Sequence, residues 1–136
     1  MNQVGQSVGI NFKWGGKMGS TLNAHRLMHL ARSKPKDIQS ALLERIFRAF
    51  HEQEEDIASP ALLIQLAVES GIDEAEATTW MNSDMGSDAV IEEAQKYRDI
   101  RAQTGVPAYI VQGEHRLEGS QDAQDLLELF IKIKEA

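Results

Sequence analysis

The stretch Gly105-Val106-Pro107-Ala108-Tyr109-Ile110-Val111, followed by Gln112-Gly113-Glu114-His115-Arg116-Leu117-Glu118-Gly119-Ser120, decides the fold. Pro107 fixes its own φ and pushes Val106 into extended geometry, so no helix runs through this point. Tyr109, Ile110 and Val111 are strand formers, and the Gly113-Glu114 step suits a tight hairpin with glycine first. Leu117 falls in a short return strand, and Ser120 is placed to cap a closing helix with the face Ala123, Leu126, Leu127, Phe130 and Ile131. The unit reads as proline-led strand, hairpin, strand and helix.

Upstream the pattern is helical. Val4 and Val8 have helical spacing, whereas Ile10 and Phe12 alternate with Asn11 and Lys13 as in a short strand. Ser20 is expected to cap a helix running to about Arg32, with Ala24, Leu27, Met28 and Ala31 as its stripe. Lys34-Pro35-Lys36 breaks the chain. A strong helix from Asp37 to about Glu52 then carries Ile38, Ala41, Leu42, Ile46, Ala49 and Phe50, widened by Leu43 and Phe47. So broad a face implies more than one neighbour. Ser59-Pro60 opens the next helix and Gly71 closes it; Asp73 and Glu76 start a short one carrying Trp80 and Met81. Ser83-Asp84 is read as the restart of a long helix ending near Thr104, with Val90, Ala94 and Tyr97 inward and Gly105 as its stop.

Composition excludes several classes. At 136 residues the chain can bury about two-thirds of its unfolded surface. No apolar run approaches the ~20 residues that span a bilayer, and the polar, glycine-rich start does not read as a secretory signal. Neither a membrane partner nor a cofactor is expected, and cytoplasm is the default location. Residues 1–50 carry eight Lys/Arg against two Asp/Glu, a balance of +6, and the remainder carries −13. The basic charges are scattered singly along helical faces, with one aromatic-basic cluster at Phe12, Lys13, Trp14 and Lys17. Basic and acidic surfaces facing each other, within the fold or across an oligomer, explain this better than nucleic-acid binding.

Three chemical patterns fail on inspection. Trp14-Gly15-Gly16-Lys17-Met18-Gly19-Ser20 has glycines and a lysine, but Met18 stands where a phosphate-binding loop needs Ser or Thr. His25 and His29 have zinc-chelating spacing, yet no third ligand is near and no metal is expected. No carboxylate lies in an apolar run that would raise its pKa, so no catalytic residue is assigned.

The Gly105-Val106-Pro107 step and the run Thr21-Leu22-Asn23-Ala24-His25-Arg26-Leu27 together resemble the DsbA-like thioredoxin family, in particular its FrnE-like branch. The resemblance extends over roughly residues 9 to 134. It implies an α+β, mostly helical chain with a partial thioredoxin-like fold: a helical insertion, then a cis-proline strand, a β-hairpin and a C-terminal helix. On this reading residues 1–19 are a strand and loop remnant, 20–104 the helical insertion region and 105–136 the thioredoxin-like end, all in one folding unit. The resemblance also implies that His25 and Arg26 hold the insertion against the thioredoxin domain. It makes Val106, Pro107 and Ala108 the surface that pairs with an extended substrate peptide.

The family activity is thiol–disulfide oxidoreductase or isomerase, carried by a Cys-x-x-Cys near the first helix. This chain has no cysteine. The expectation is therefore a truncated, redox-inactive portion of the family fold. The alternatives are a non-catalytic peptide-binding or assembly module, and a relative of glutathione-dependent isomerases. Loss of the usual neighbours implies a homodimer through the exposed strand edge or an apolar face, with a peptide or protein as possible substrate.

Overall fold

The computed structural model describes residues 2–103 and 106–135, the side chains of 99–103 aside. In chain order the elements are α1 (Asn2–Ser7), α2 (Leu22–Ala31), α3 (Lys36–His51), α4 (Pro60–Ser70), α5 (Glu74–Met81), α6 (Ser87–Gln103), β1 (Ala108–Val111), β2 (His115–Glu118) and α7 (Ala123–Glu135). They fall into two compact units, residues 1–91 and 92–136, with the boundary inside α6. No helix among the described residues is long and apolar enough to cross a membrane.

In the first unit α2, α3, α4 and α5 pack on one another around a single apolar core. Leu27, Leu42 and Leu63 are its largest fully buried side chains. Ala31, Ala49, Ala67 and Ala77 are as completely buried, and such small residues let helix backbones approach closely. The local signals fall where the sequence puts them. The Ser59 side chain accepts from the Leu62 amide ahead of Pro60, and Asp73 accepts from the Glu76 amide. Gly71 closes α4 at φ 108°, and the Ile72 N–H reaches back to the Ala67 carbonyl while its side chain is buried. Lys34 ties the α2–α3 turn to Glu76 of α5 at 2.7 Å.

Several expectations are corrected. Residues 10–13 form no strand, since no second strand is there to pair with them. Their backbone groups are met instead at the end of α3: Asn11 N–H by Glu52 Oε1 at 2.8 Å and Lys13 N–H by the His51 carbonyl at 2.7 Å. Thr21 rather than Ser20 precedes α2, and the Ser20 hydroxyl accepts from the Leu22 amide. Leu43 and Phe47 are 38% and 50% exposed, so they do not widen the buried face of α3, which packs against both α2 and α4 as its breadth implied. α6 begins at Ser87, not at Ser83-Asp84, and its Ala94 and Tyr97 are exposed rather than inward. Thr104 and Gly105 lie outside the described residues.

In the second unit β1 and β2 form an antiparallel pair with Tyr109 opposite Leu117 and Val111 opposite His115. The turn is centred on Gln112-Gly113, not Gly113-Glu114. Both central residues have positive φ, 55° and 78°, and the Glu114 N–H donates to the Val111 carbonyl at 3.3 Å. This is the pattern of a type I′ turn, whose twist matches that of the strands it joins. Ser120 does not cap α7. The Gln121 amide first bonds the Glu118 and Gly119 carbonyls, and the cap passes to Asp122, which accepts from the Asp125 amide at 2.8 Å. Leu126 is half-buried, whereas Ala123, Leu127, Phe130 and Ile131 are exposed.

The core predicts the cost of opening it. Leu63→Ala should lower the stability of the helical unit by about 2–5 kcal/mol, and Leu63→Met by less than about 1.5 kcal/mol. Urea unfolding followed by far-UV circular dichroism measures both; equal losses would show that the site is not tightly packed.

Candidate functional site

The edge of β1 is built by its own register. The Gly119 N–H donates to the Pro107 carbonyl at 2.8 Å, so 107 and 119 are a hydrogen-bonded pair. Bonded pairs alternate along an antiparallel ladder, which directs the N–H and C=O of Tyr109 and Val111 toward β2. The same groups of Ala108 and Ile110 then point away from it. No strand covers that side among the described residues, because the sheet has two strands only. The strand Ala-Tyr-Ile-Val carries no charge that would discourage another strand from pairing there. Val106 stands beside this edge with 76% of its surface exposed, and the Val106–Pro107 peptide is cis, as the sequence resemblance implied. Val106, Pro107 and Ala108 are thus brought together at one end of an open edge.

His25 and Arg26 lie in the helical unit and serve different ends. His25 is exposed, with Nδ1 3.3 Å from the Thr21 carbonyl. Arg26 is 3% exposed. Its Nε donates to the Met85 carbonyl at 2.9 Å, one terminal nitrogen to Asn23 Oδ1 at 3.0 Å, and the other to the carbonyls of Trp80, at 2.8 Å, and Ser83. The Trp80 indole N–H returns a bond to the Arg26 carbonyl at 3.0 Å. Trp80 is in the last turn of α5, where the aligned peptide dipoles favour a cation. Arg26 therefore fastens α2 to the α5–α6 turn. Gly86 completes that turn at φ 82°, where a Cβ would come within 2.7 Å of the Trp80 ring.

The remaining candidates do not assemble a reactive centre. His29 stacks on Trp80 with ring centroids 6.4 Å apart, and no group of three His, Cys, Asp or Glu able to hold a metal occurs among the described residues. An open cleft of about 440 Å³ that no sequence motif marks lies between α1 and the end of α3, lined in part by Phe12, Lys13, Arg48 and Glu52. Its only trace in the sequence was the aromatic-basic cluster around Phe12 and Trp14, which stack at 5.8 Å.

The family model of the DSBA-like thioredoxin domain matches residues 1–130. No curated protein matches the chain. Among solved structures, a candidate protein disulfide isomerase from Nitrosomonas europaea superposes with a TM-score of 0.73 at 22% sequence identity. The match covers 96% of this chain and 70% of that one. At that identity the likeness bears on the fold, which is α+β, mostly helical and thioredoxin-like in part.

Loss of the Arg26 donors would strip the guanidinium from the Ser83 and Met85 carbonyls, while the Trp80 carbonyl would keep the Ser83 hydroxyl. Arg26→Leu should cost roughly 3–5 kcal/mol, and Arg26→Lys should recover only part of it, since one ammonium cannot reach acceptors spread around a planar fork. Trp80 fluorescence during urea unfolding, in a Trp14→Phe background, reports the change; a Lys variant as stable as the parent would refute the planar-fork requirement.

Proposed function

Because the chain belongs to the DSBA-like thioredoxin domain family, we propose that it is a FrnE-like member of that family that engages extended polypeptide at the β1 edge and is redox-silent by itself. The branch assignment rests on the Thr21–Leu27 run and the Gly105-Val106-Pro107 step. The family's thiol–disulfide oxidoreductase and isomerase activity depends on a thiolate that attacks a disulfide sulfur. None of the 136 residues is a cysteine, so no side chain here can form the mixed disulfide. What supports a binding role is the open edge itself. Ala108 and Ile110 offer two N–H and two C=O groups in strand geometry, with exposed Val106 beside them as an apolar contact. A polypeptide added there gains main-chain hydrogen bonds largely independent of its sequence. That is the selectivity expected for a surface that meets unfolded chains.

The reading has two readouts. The full chain should retain an extended, unfolded peptide in a fluorescence anisotropy titration while showing no disulfide reduction or isomerisation with a thiol reductant. Ile110→Pro removes an N–H that faces away from β2, so the hairpin should persist while peptide affinity falls at least tenfold. Undiminished binding by that variant would move the site elsewhere; measurable exchange activity would overturn redox silence.

A further inference from the structure

The β1 edge is not the only surface left uncovered in the second unit. No described residue of α7 is buried, although the helix is strongly amphipathic in sequence. Leu127, Phe130 and Ile131 lie on one face at i, i+3 and i+4 spacing and are 50%, 52% and 45% exposed. Three large apolar side chains in a row at this exposure form a contiguous patch, not the scattered single residues ordinary on a surface.

The charges along the helix indicate what covers it. Asp122 and Asp125 stand at its start and Glu128 in its first half, whereas Lys132 and Lys134 lie in the second, with Glu135 the exception at the end. Two copies laid antiparallel put the acidic half of each beside the basic half of the other and oppose the helix dipoles. A parallel pair sets like against like. An antiparallel pairing of identical helices is also closed by a two-fold axis, so association stops at two. We propose that α7 is a self-association surface, on which a second copy of this chain seats its own α7 antiparallel through Leu127, Phe130 and Ile131. The contact is small. A 13-residue helix is about 20 Å long, and a pair of that length falls short of the roughly 800 Å² per partner of a standard stable interface. The dimer is accordingly weak and concentration-dependent, and independent of the β1 edge.

Sedimentation equilibrium and light scattering on the full chain test this. The expected result is a monomer–dimer equilibrium that shifts to dimer toward millimolar concentration, and a monomer throughout would overturn it. Phe130→Glu, at an exposed position, should abolish the dimer with unchanged circular dichroism; Ile110→Pro should leave it intact. A dimer that survives Phe130→Glu, or is lost only with Ile110→Pro, would place the interface elsewhere. The absence of native cysteine allows a direct check of orientation. A mixture of Ala123→Cys and Lys134→Cys chains should cross-link under mild oxidation, and neither chain alone should do so. Self-linking of either single variant would contradict the antiparallel arrangement.

Discussion

A guanidinium that is 3% exposed must find its hydrogen-bond acceptors inside the protein, and this requirement shapes the helical unit. The partners described for Arg26 are oxygens of neutral groups: three backbone carbonyls and the side chain of Asn23. The carbonyls of Trp80, Ser83 and Met85 cannot all turn inward if the chain stays helical through 83–86. The long helix therefore starts at Ser87, and a glycine with positive φ stands at 86. Ser83 does not cap that helix but braces the turn, its hydroxyl donating to the Trp80 carbonyl and accepting from the Met85 amide. One buried cation thus sets where α5 ends and where α6 begins.

The two units meet the hydrophobic requirement differently. Residues of α2 to α5 bury their leucines and alanines against one another, so the helical unit supplies its own core. In residues 92–136 an uncharged strand keeps one edge open, and an amphipathic helix has no buried residue. Open strand edges and uncovered apolar faces attract other chains. The second unit thus leaves backbone groups of β1 and apolar side chains of α7 uncovered among the described residues, where the helical unit buries its own.

Much of the architecture could be read locally. The spacing of Leu42, Ile46 and Ala49 defined the inner face of α3, and Ser59-Pro60, Gly71 and Asp73 marked helix ends where the structure has them. Pro107 and the strand formers after it located the hairpin, and with it Val106 and Ala108 at the candidate site. Elsewhere the same signals misled. Ile10 and Phe12 alternate like a strand, but a strand exists only through its partner, and these residues lean on the end of α3 instead. Ser120 and Asp122 are both good caps, and the bonds of the Gln121 side chain to Glu118 and Gly119 decided between them.

By itself, then, the sequence determined the order of the elements and most of their ends, because caps, proline and glycine constraints and apolar periodicity act over a few residues. Only the tertiary structure decided that Arg26 is a buried fastener, because its carbonyl partners lie 54 to 59 residues away along the chain. It also decided which backbone groups of β1 remain open, since that follows from the phase of pairing with β2 and from nothing in the strand itself.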